Sequence, residues 1–525
     1  MKAIVCFLSL LVLFLSPLSL MAQQDFDDIF DSADDDFKKL KEKADAEFSQ
    51  MKASVDEEFG ALLDNAWKEF ELARGLVRDE TPKPVAAPVA KPTKALPERP
   101  SPEPIPEETP EPVPDTPEPQ ALPETPSKPA PKPSPEDLET QKKPPLPSPA
   151  PVLPADRLAI NFYNTEITLK YDRLWKRSTP IRNVKPATIK SSWDFFSKTD
   201  YASFLEQALY VKEAMALNDW GYCRLINTAA KHLFPENYNR RPIFIWFMLV
   251  QSGYDMRIGY NDNSIFVLFP TPQTVYGAQF YEYENRKYYI TSLGNDYGTE
   301  VSSLFTYEGS HKEAVKAIDF SFAASPKIGK REEQKSLQFE YTGKAYKFDV
   351  TVNGTLIDYL DSYPQVDLDV YFGAPLSEAA EQSLVDGLKP IIDGKSETEA
   401  ANIILRFVQT SLAYQTDDEQ FQEENYLFSD ESLYFPYCDC EDRSFLFSNL
   451  IRKLLGLEVI GLQYPGHIAT AVKFSKSTPG TYVTFDGERY IICDPTYINA
   501  DIGQSMPQFS TVKPGIIRTV SLDKN

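Results

Sequence analysis

Hydrophobic residues between positions 26 and 73 recur with a period of 11 residues. The strongest members of this pattern are the phenylalanines at Phe26, Phe37, Phe48, Phe59 and Phe70. Smaller apolar residues follow at intervals of three and four, and the positions between them are mostly Asp, Glu and Lys. A repeat of 11 residues gives about 3.67 residues per turn, so the apolar positions form one stripe on an α-helix. The pattern predicts an amphipathic helix across 23–78.

The apolar stripe of this helix needs a surface to cover it, and three surfaces fit the pattern. The helix could remain a solvated amphipathic helix, or it could form a coiled coil with a second copy or a partner helix. A membrane surface is the least favoured, because the polar face is mainly acidic. No core is close in sequence, so we favour self-association or a partner helix through residues 26–73.

The pattern changes to alternating strands and helices from about residue 155 onwards. Within 155–295, INFYNTEITLKYD predicts strand and Ser192–Phe234 predicts helices. An apolar helix over Pro242–Ser252 ends at Gly253, and the strands NSIFVLF and NRKYYITS follow it. This region is therefore expected to be an α/β domain.

Residues 296–374 read as a β-rich region. Polar and apolar residues alternate from Lys335 to Gly373, which predicts antiparallel strands that include VDLDVYFG and a Val-Asn-Gly turn. Helices are predicted at Ser377–Leu388 and Ser396–Ala413, within a last domain spanning 375–525. The fold class expected for the globular part is α+β.

The N-terminal part of the chain contains a predicted signal peptide and, further on, a predicted Pro-rich linker. Lys2, an apolar run to Leu20 and the small Ala22 predict a signal peptide over 1–22, and Cys6 lies too far inside it for a lipoprotein anchor. No later apolar run reaches the about 18 residues of a membrane-spanning helix. Residues 82–154 hold 26 of the 43 prolines, so 79–154 is expected to be a disordered, extended linker. Recognition of its Pro motifs by SH3-like domains is the alternative to a spacer. The protein should therefore be periplasmic or secreted.

Charge and cysteine content narrow the function classes. A net charge of −23 argues against nucleic acid or an anionic membrane as the partner. Four cysteines remain after the signal peptide, too few for a disulfide-dense scaffold. No Cys/His cluster has zinc-like spacing and no Gly-rich phosphate loop is present, so neither a metal nor a cofactor is expected.

Three residues near the end of the chain could form a nucleophilic site. Cys440 begins a predicted helix that Gly456 ends, His467 begins a predicted strand, and Asp494 ends another. The positive end of the helix dipole favours a Cys440 thiolate. The neighbouring acidic residues Glu441 and Asp442 oppose it, so an imidazolium at His467, oriented by Asp494, would have to hold the charge. We therefore expect Cys440 to have a low pKa.

The motifs around these residues resemble those of the transglutaminase-like (papain-like) cysteine hydrolase superfamily. They read YCDCED across 437–442, GHI across 466–468 and DPT across 494–496, and the resemblance covers about 375–510. It implies that Cys440 is the nucleophile, His467 the general base and acid, and Asp494 the orienting carboxylate. Cys438 stands where the family often has glycine, which leaves two cysteines before the helix; matching C-E-D to the motif favours Cys440.

The resemblance implies a thiol-dependent amidase or peptidase that forms an acyl-enzyme. The Cys440 backbone N–H would meet the oxyanion, and Tyr414 and Gln409 are candidates for the second donor. Two alternatives remain open. An amine could resolve the acyl-enzyme, giving protein crosslinking, or the fold could be a binding protein displayed on a coiled-coil stalk. The substrate is expected to be a peptide or protein amide.

The 192–295 segment resembles the last domain in its order of elements. Aligning Gly253 with Gly456 places Asn237 opposite Cys440 and Ser264 opposite His467. Ser292 falls near Asp494 after a slip of one residue. This segment is therefore either a degenerate copy of the last domain without a triad, or a chance likeness of two helix–strand–strand units.

Overall fold

The computed structural model describes residues 43, 51–63, 67–70, 156–291, 293, 301, 304–307 and 309–519. The predicted signal peptide, the Pro-rich linker, Ser292 and most of the 11-residue repeat lie outside these residues. The described part is mixed α+β and divides into two compact units. Unit 1 comprises its residues up to 70, 160–329 and 361–370, and unit 2 comprises 156–159, 330–360 and 371–519. The predicted region 296–374 is thus divided between the units. None of the helices in the described part is long and apolar enough to cross a membrane.

Unit 1 is built from a group of helices and one six-stranded antiparallel sheet. Its helices are α1 (51–63), α2 (Pro186–Ser197), α3 (Tyr201–Ala214), α4 (Asp219–Leu233) and α5 (Arg240–Gln251). Its sheet strands are β1 (Trp67–Phe70), β4 (Arg257–Tyr260), β5 (Ile265–Pro270), β6 (Phe280–Tyr283), β7 (Arg286–Thr291) and β8 (Leu304–Tyr307), in the order β1-β8-β4-β5-β7-β6. A separate pair, β2 (Arg157–Phe162) and β3 (Thr165–Lys170), turns at two residues with positive φ.

Helix α1 contacts the body of unit 1, contrary to the expectation that its stripe would find a coiled-coil partner. Phe59 is 3% exposed, and its ring lies 4.7 Å from that of Trp193 and 5.3 Å from that of His311. The Asp56 carboxylate accepts a 2.9 Å hydrogen bond from the Tyr201 hydroxyl. The prediction considered only cores close in sequence, whereas this core comes from residues more than a hundred positions away.

The predicted helix also ends earlier than expected. Residues Trp67–Phe70 form strand β1, which pairs antiparallel with Leu304–Tyr307. The periodic pattern was wrong here, because the backbone hydrogen bonds of a sheet override a local helical preference.

Unit 2 places helices on an antiparallel sheet and a long hairpin. The helices are α6 (Gly354–Leu360), α7 (Leu368–Gly373, whose first three residues are assigned to unit 1), α8 (Glu378–Ile392), α9 (Glu397–Ser411), α10 (Asp417–Gln420), α11 (Ser429–Tyr434) and α12 (Cys440–Leu455). The strands are β9 (Glu332–Tyr341), β10 (Lys344–Asn353), β11 (Ala413–Tyr414), β12 (Tyr437–Cys438), β13 (Glu458–Tyr464), β14 (His467–Lys473), β15 (Tyr482–Phe485), β16 (Glu488–Cys493) and β17 (Gly515–Ile517). Two short 3-10 turns, Trp175–Arg177 in unit 1 and Pro507–Phe509 in unit 2, complete the elements.

Two details of the predicted β-rich region are wrong. The β9–β10 hairpin turns at Thr342 and Gly343, which have positive φ, and not at Val-Asn-Gly, where Gly354 instead begins α6. The stretch VDLDVYFG contains α7 and not a strand. Val370, Tyr371 and Phe372 are buried in succession, which a strand with one solvated face does not allow. A run this short does not distinguish helix from strand by its period.

The five strands that follow α12 and the five that follow α5 are connected in the same order. In unit 2 the order is β15-β16-β14-β13-β17, and in unit 1 it is β6-β7-β5-β4-β8, with β1 added at the edge. The registers also correspond. Tyr260 pairs with Ile265 as Gln463 pairs with Ile468, and the β6–β7 register repeats in β15–β16 with an offset of 202 residues, as Phe280↔Tyr289 and Tyr482↔Ile491 show.

Helix α12 lies in the core of unit 2, against β13, β14, α9 and α11. Every residue from Cys440 to Ile451 is buried. The helix ends at Gly456, whose φ of 67° lies in the left-handed region that glycine adopts without steric cost. The first turn of α12 is therefore buried within unit 2.

Candidate active site

The first turn of α12 is fixed by hydrogen bonds to one acidic side chain. The carboxylate of Asp442 accepts from the backbone N–H of Asp439 at 3.1 Å and from that of Leu427 at 2.8 Å. These bonds satisfy one N–H before the helix and tie the preceding loop to it. Cys440, the first residue of α12, is therefore held at a defined position.

Cys440 lies beside the first peptide of β14. The Ser444 hydroxyl is 2.8 Å from the Cys440 carbonyl oxygen and 3.3 Å from the Ile468 carbonyl oxygen. The backbone of Ile468 acts to lower the pKa of the Cys440 thiol, although it is a smaller influence than burial. Helix and strand are thus joined next to His467, the residue that begins β14.

His467 and Asp494 form a buried hydrogen-bonded pair. In the sheet Thr470 pairs with Cys493, so His467 and Asp494 both lie beyond that pair at the same end. The imidazole Nε2 is 2.9 Å from the Asp494 Oδ2. The other carboxylate oxygen accepts from the N–H groups of Thr496 and Tyr497, which closes a turn within the DPT motif. Asp494 is therefore oriented by its own backbone.

Two further side chains support this pair. The Phe509 ring stacks on the imidazole, with centroids 5.2 Å apart and planes within 4° of each other. The Gln409 amide Nε2 donates to the carbonyl oxygens of Asp494, Tyr497 and Ala500 at 2.9–3.1 Å. All the donor capacity of Gln409 is used on this loop, so it holds the Asp494 turn and is not available to an oxyanion.

The thiol of Cys440 forms its hydrogen bond with Glu441 and not with His467. The sulfur lies 2.9 Å from the Glu441 Oε2. Burial first, and then the charges of Glu441 and Asp439, raise the pKa of the Cys440 thiol well above its usual value. The expectation of a low pKa is therefore wrong for this arrangement, because burial and two carboxylates outweigh the helix dipole.

The free nitrogen of the imidazole is Nδ1. It is buried and, among the described residues, has no hydrogen-bond partner. Because Nε2 is bonded to Asp494, Nδ1 is the atom that could exchange a proton with a thiol. Cys440, His467 and Asp494 are 1%, 3% and 3% exposed, so a substrate reaches this site only if covering residues move.

Tyr414 lies close to the same thiol. Burial and the charges of Cys440, Asp439 and Glu441 raise the pKa of its phenol. The buried hydroxyl has no hydrogen-bond partner in the part of the chain that the structure describes, while the Arg443 guanidinium lies 5.1 Å from the ring centroid. Of the two predicted oxyanion donors, Tyr414 is the one whose donor is free.

The remaining cysteines and histidines have other surroundings. Cys438 and Cys493 belong to the hydrophobic core of unit 2, Cys223 is buried in unit 1, and none of the four described cysteines forms a disulfide. Cys438 is therefore a core residue, and burial raises the pKa of its thiol to about 11. His311 is buried against Asp56.

The sequence prediction did not include the acidic residues around Cys440 as a group. Overlapping groups of these residues have ligand atoms within 4.8 Å of one another, and together they comprise Asp417, Glu424, Asp439, Glu441 and Asp442. Only the last three adjoin the cysteine in sequence, and Asp417 and Glu424 come from the α10 segment. The acidic run around the cysteine was a signal for Asp439, Glu441 and Asp442, and nothing in the sequence marked the other two.

We compared the chain with family models, with curated proteins and with solved structures, and found no match in any of the three.

Proposed function

We propose that the protein is an exported cysteine hydrolase of the transglutaminase-like type that cleaves a peptide or protein amide through an acyl-enzyme. The observation that carries the proposal is the His467–Asp494 pair at 2.9 Å beside a cysteine at a helix start. The Asp494 carboxylate holds the imidazole by Nε2 and leaves Nδ1 unpartnered among the described residues. The next residue, Ile468, is hydrogen-bonded to Ser444 in the first turns of α12.

The reaction would begin when the Cys440 thiol gives its proton to Nδ1 of His467. The sulfur then forms a bond with the amide carbon, and the carbonyl oxygen becomes an oxyanion. When the C–N bond breaks, the imidazolium returns the proton to the leaving amine. Water, deprotonated by His467, attacks the thioester and releases the carboxylic acid and the thiol. Asp494 stabilises the imidazolium throughout.

Two groups could stabilise the oxyanion. The Cys440 backbone N–H lies at the open N-terminal end of α12, where N–H groups have no partner within the helix. The unpartnered Tyr414 hydroxyl would be the second donor. Gln409 supports the site indirectly, since it holds the backbone of the Asp494 turn.

The experiment is a search for Cys440-dependent products in ¹⁸O-labelled water. The full chain is incubated with a mixed peptide library, and new carboxylates that contain ¹⁸O are identified by mass spectrometry. Cys440→Ala should abolish these products. Cys438→Ala, which removes a neighbouring core cysteine, should retain them. Products that persist in Cys440→Ala, or none with the unaltered chain, would contradict the proposal.

The same experiment separates the two alternatives. With a labelled primary amine added, crosslinking activity would give amine-bearing products in place of ¹⁸O-bearing ones. A binding protein would give neither. The full burial of Cys440 is the observation that favours the binding alternative, because a thiol 1% exposed cannot meet a substrate without a change in the covering residues.

A further inference from the structure

A cavity of about 360 Å³ lies in unit 2, at the end of the β9–β10 hairpin that is away from its turn. One side is formed by the hairpin, and the other by the end of α11 and the loop that follows it. The residues that line this space, here called the hairpin cavity, include Glu333, Lys335, Val352, Leu433, Phe435 and Pro436. Its volume lies at the lower end of the range of about 300–1,000 Å³ that small-ligand sites occupy.

The inner face of β9 changes from apolar to charged where the strand reaches the hairpin cavity. Leu337 and Phe339 belong to the hydrophobic core of unit 2. Because alternate residues of a strand share a face, Lys335 lies on the same face, two positions before Leu337. Val352 and Leu433, which also line the cavity, are core residues. The hairpin cavity therefore combines apolar walls with an ammonium group.

The Lys335 ammonium has one hydrogen-bond partner and no carboxylate partner among the described residues. Its Nζ donates to the Phe435 carbonyl oxygen at 2.7 Å, and an ammonium has three N–H donors, so two are left for a ligand or water. Glu333, the carboxylate in the lining, instead lies 3.2 Å from the Arg331 Nε in an ion pair. Lys335 is half-buried, and burial lowers its pKa. A carboxylate that entered would meet a cation with unused donors and reduced hydration.

The hairpin cavity adjoins the segment that leads to the candidate nucleophile. Phe435 and Pro436 line the cavity, and β12 and then Cys440 follow them in the chain. Cys438 of β12 pairs with Tyr414, whose hydroxyl is the proposed oxyanion donor. Phe435 precedes Cys440 by five residues, which span at most about 18 Å when fully extended. A group bound in the cavity and an amide at the thiol can therefore belong to one peptide, about five residues apart or fewer.

We propose that the hairpin cavity binds a carboxylate of the peptide substrate through the Lys335 ammonium. The carboxylate belongs to an Asp or Glu side chain or to the C-terminus of the peptide, since both present the same group. The apolar walls at Val352 and Leu433 would contact the aliphatic part of the neighbouring residue. The inference rests on the proposed function in calling the peptide a substrate, whereas the binding site itself follows from the cavity and its cation.

Helix capping is the competing explanation for Lys335. Phe435 directly follows the last residue of α11, so the bond from Lys335 to its carbonyl oxygen could serve only to hold the end of that helix. The two explanations differ in what the loss of the ammonium changes. A cap affects only the stability of the fold, whereas a carboxylate site also determines the preference between an acidic peptide and its amide counterpart.

The test measures peptide binding by fluorescence anisotropy to the full chain carrying Cys440→Ala, which keeps the probes uncut. The probes are three nonapeptides of alanine and serine with a central Leu and a neutral fluorophore at the blocked N-terminus. The first has Glu after the Leu and a C-terminal amide, the second has Gln in place of Glu, and the third keeps Gln but ends in a free carboxylate. The first or the third should bind at least about tenfold tighter than the second, and this result identifies the source of the carboxylate.

Variants of the same chain assign the preference to one side chain. Lys335→Met should remove it, and Lys335→Arg, which keeps the charge, should retain it. The matched control Lys347→Met removes an exposed lysine from the same hairpin and should retain it as well. Circular dichroism verifies that each variant folds. Equal affinity for the three probes would overturn the inference, and so would a preference that survives in Lys335→Met or disappears equally in the control.

Because binding is measured without turnover, this inference and the proposed function fail separately. A preference that depends on Lys335, in a protein that yields no ¹⁸O-labelled products, would support the carboxylate site and overturn the hydrolase. Labelled products from a protein that shows no preference among the three probes would support the hydrolase and overturn the carboxylate site.

Discussion

In unit 1 helix α5 precedes strands β4 and β5, and in unit 2 helix α12 precedes β13 and β14 with the same pairing register. The residues of unit 1 that align with Cys440 and His467 are of other types and have other contacts. Asn237, aligned with Cys440, accepts from the Ile181 N–H and donates to the Thr179 carbonyl. Ser264, aligned with His467, follows a turn in which its backbone N–H bonds to Asn261.

The difference between the units shows that the shared frame does not require a reactive site. Unit 1 keeps the helix, the strand order and the register while Asn237 ties together backbone segments. In the loop before α5, Glu236 and Tyr238 are exposed, whereas Asp439 and Glu441 at the matching positions of unit 2 are buried. The two units therefore share a frame and differ in the few side chains that occupy it. That units 1 and 2 arose by duplication remains an interpretation, and their common strand order and pairing register favour it.

The largest effect is expected when the two aligned positions are changed in parallel. His467→Ala should reduce formation of the ¹⁸O-labelled products at least about 100-fold, because it removes the proposed general base and acid. Ser264→Ala in unit 1 should leave the rate unchanged, since only the backbone of Ser264 is engaged in its turn. Product formation by both variants is measured by mass spectrometry, with circular dichroism to verify folding. Equal losses in the two variants would show that unit 1 also contributes chemistry.

A second effect should be confined to unit 1. Phe59→Ala removes a buried ring that contacts Trp193, Trp246 and Tyr307, and should lower the free energy of unfolding by about 3–5 kcal/mol. All five tryptophans lie in the part of the sequence assigned to unit 1, so tryptophan fluorescence in urea reports this unit alone. The half-exposed Met51 on the same helix is the control, and Met51→Ala should change stability by less than about 0.5 kcal/mol. If Phe59→Ala were as mild as the control, α1 would not be anchored in unit 1.

A pH effect should be confined to unit 2. Burial raises the pKa of Asp430 to about 6, while its unfolded value is about 3.9. The folded state then binds the proton more tightly, so the stabilisation is complete below the unfolded pKa and disappears as pH rises through about 6. Between about pH 5 and pH 7 this residue should cost unit 2 about 1 kcal/mol.

The variant Asp430→Asn isolates that contribution. Hydrogen exchange of α12 peptides, measured at both pH values, should show a smaller loss of protection with rising pH in the variant than in the unaltered chain. Identical pH dependence in the two chains would mean that Asp430 ionises normally in the folded state.

The smallest effect is expected from alanine substitutions at the glycines that follow α5 and α12. Gly253 and Gly456 follow α5 and α12, and both have positive φ, at 89° and 67°. No atom within 4 Å would meet a Cβ at Gly456, and at Gly253 the nearest is at 3.7 Å, so substitution costs only backbone strain. Gly253→Ala and Gly456→Ala should each destabilise their own unit by about 1 kcal/mol. Urea unfolding followed by fluorescence for unit 1 and by hydrogen exchange for unit 2 would reveal an unequal cost, which would mean that the ends are not equivalent.

Local signals in the sequence predicted the elements that form the site. The helices beginning after Ser377 and Ser396 are confirmed, and both serine side chains accept a backbone N–H as N-caps. Helix α12 and its end at Gly456 are confirmed as well. Caps and a glycine stop act within one turn of the helix, so they can be read without knowledge of the tertiary structure.

Features that depend on distant residues could not be predicted in this way. The covering of Phe59 by Trp193 and His311 requires contacts across more than a hundred positions, and so does the pairing of β1 with Leu304–Tyr307. The surroundings of Cys440 show the same limit. The sequence brings Glu441 next to it, but the net charge there depends on the fold placing Asp417 in the same cluster.

The anchoring of α1 and β1 in unit 1 also bears on how the chain tolerates being cut. Both the segment before the Pro-rich stretch and the segment after it belong to folded parts of the molecule, through contacts such as Phe59 with Trp193 and strand β1 with β8. A protease that severs the chain within 82–154 would therefore give two fragments that remain bound to each other. The nicked protein would migrate as two bands under denaturing conditions and as one species in its native state, so the Pro-rich stretch would be a natural place to insert a tag or to permute the chain.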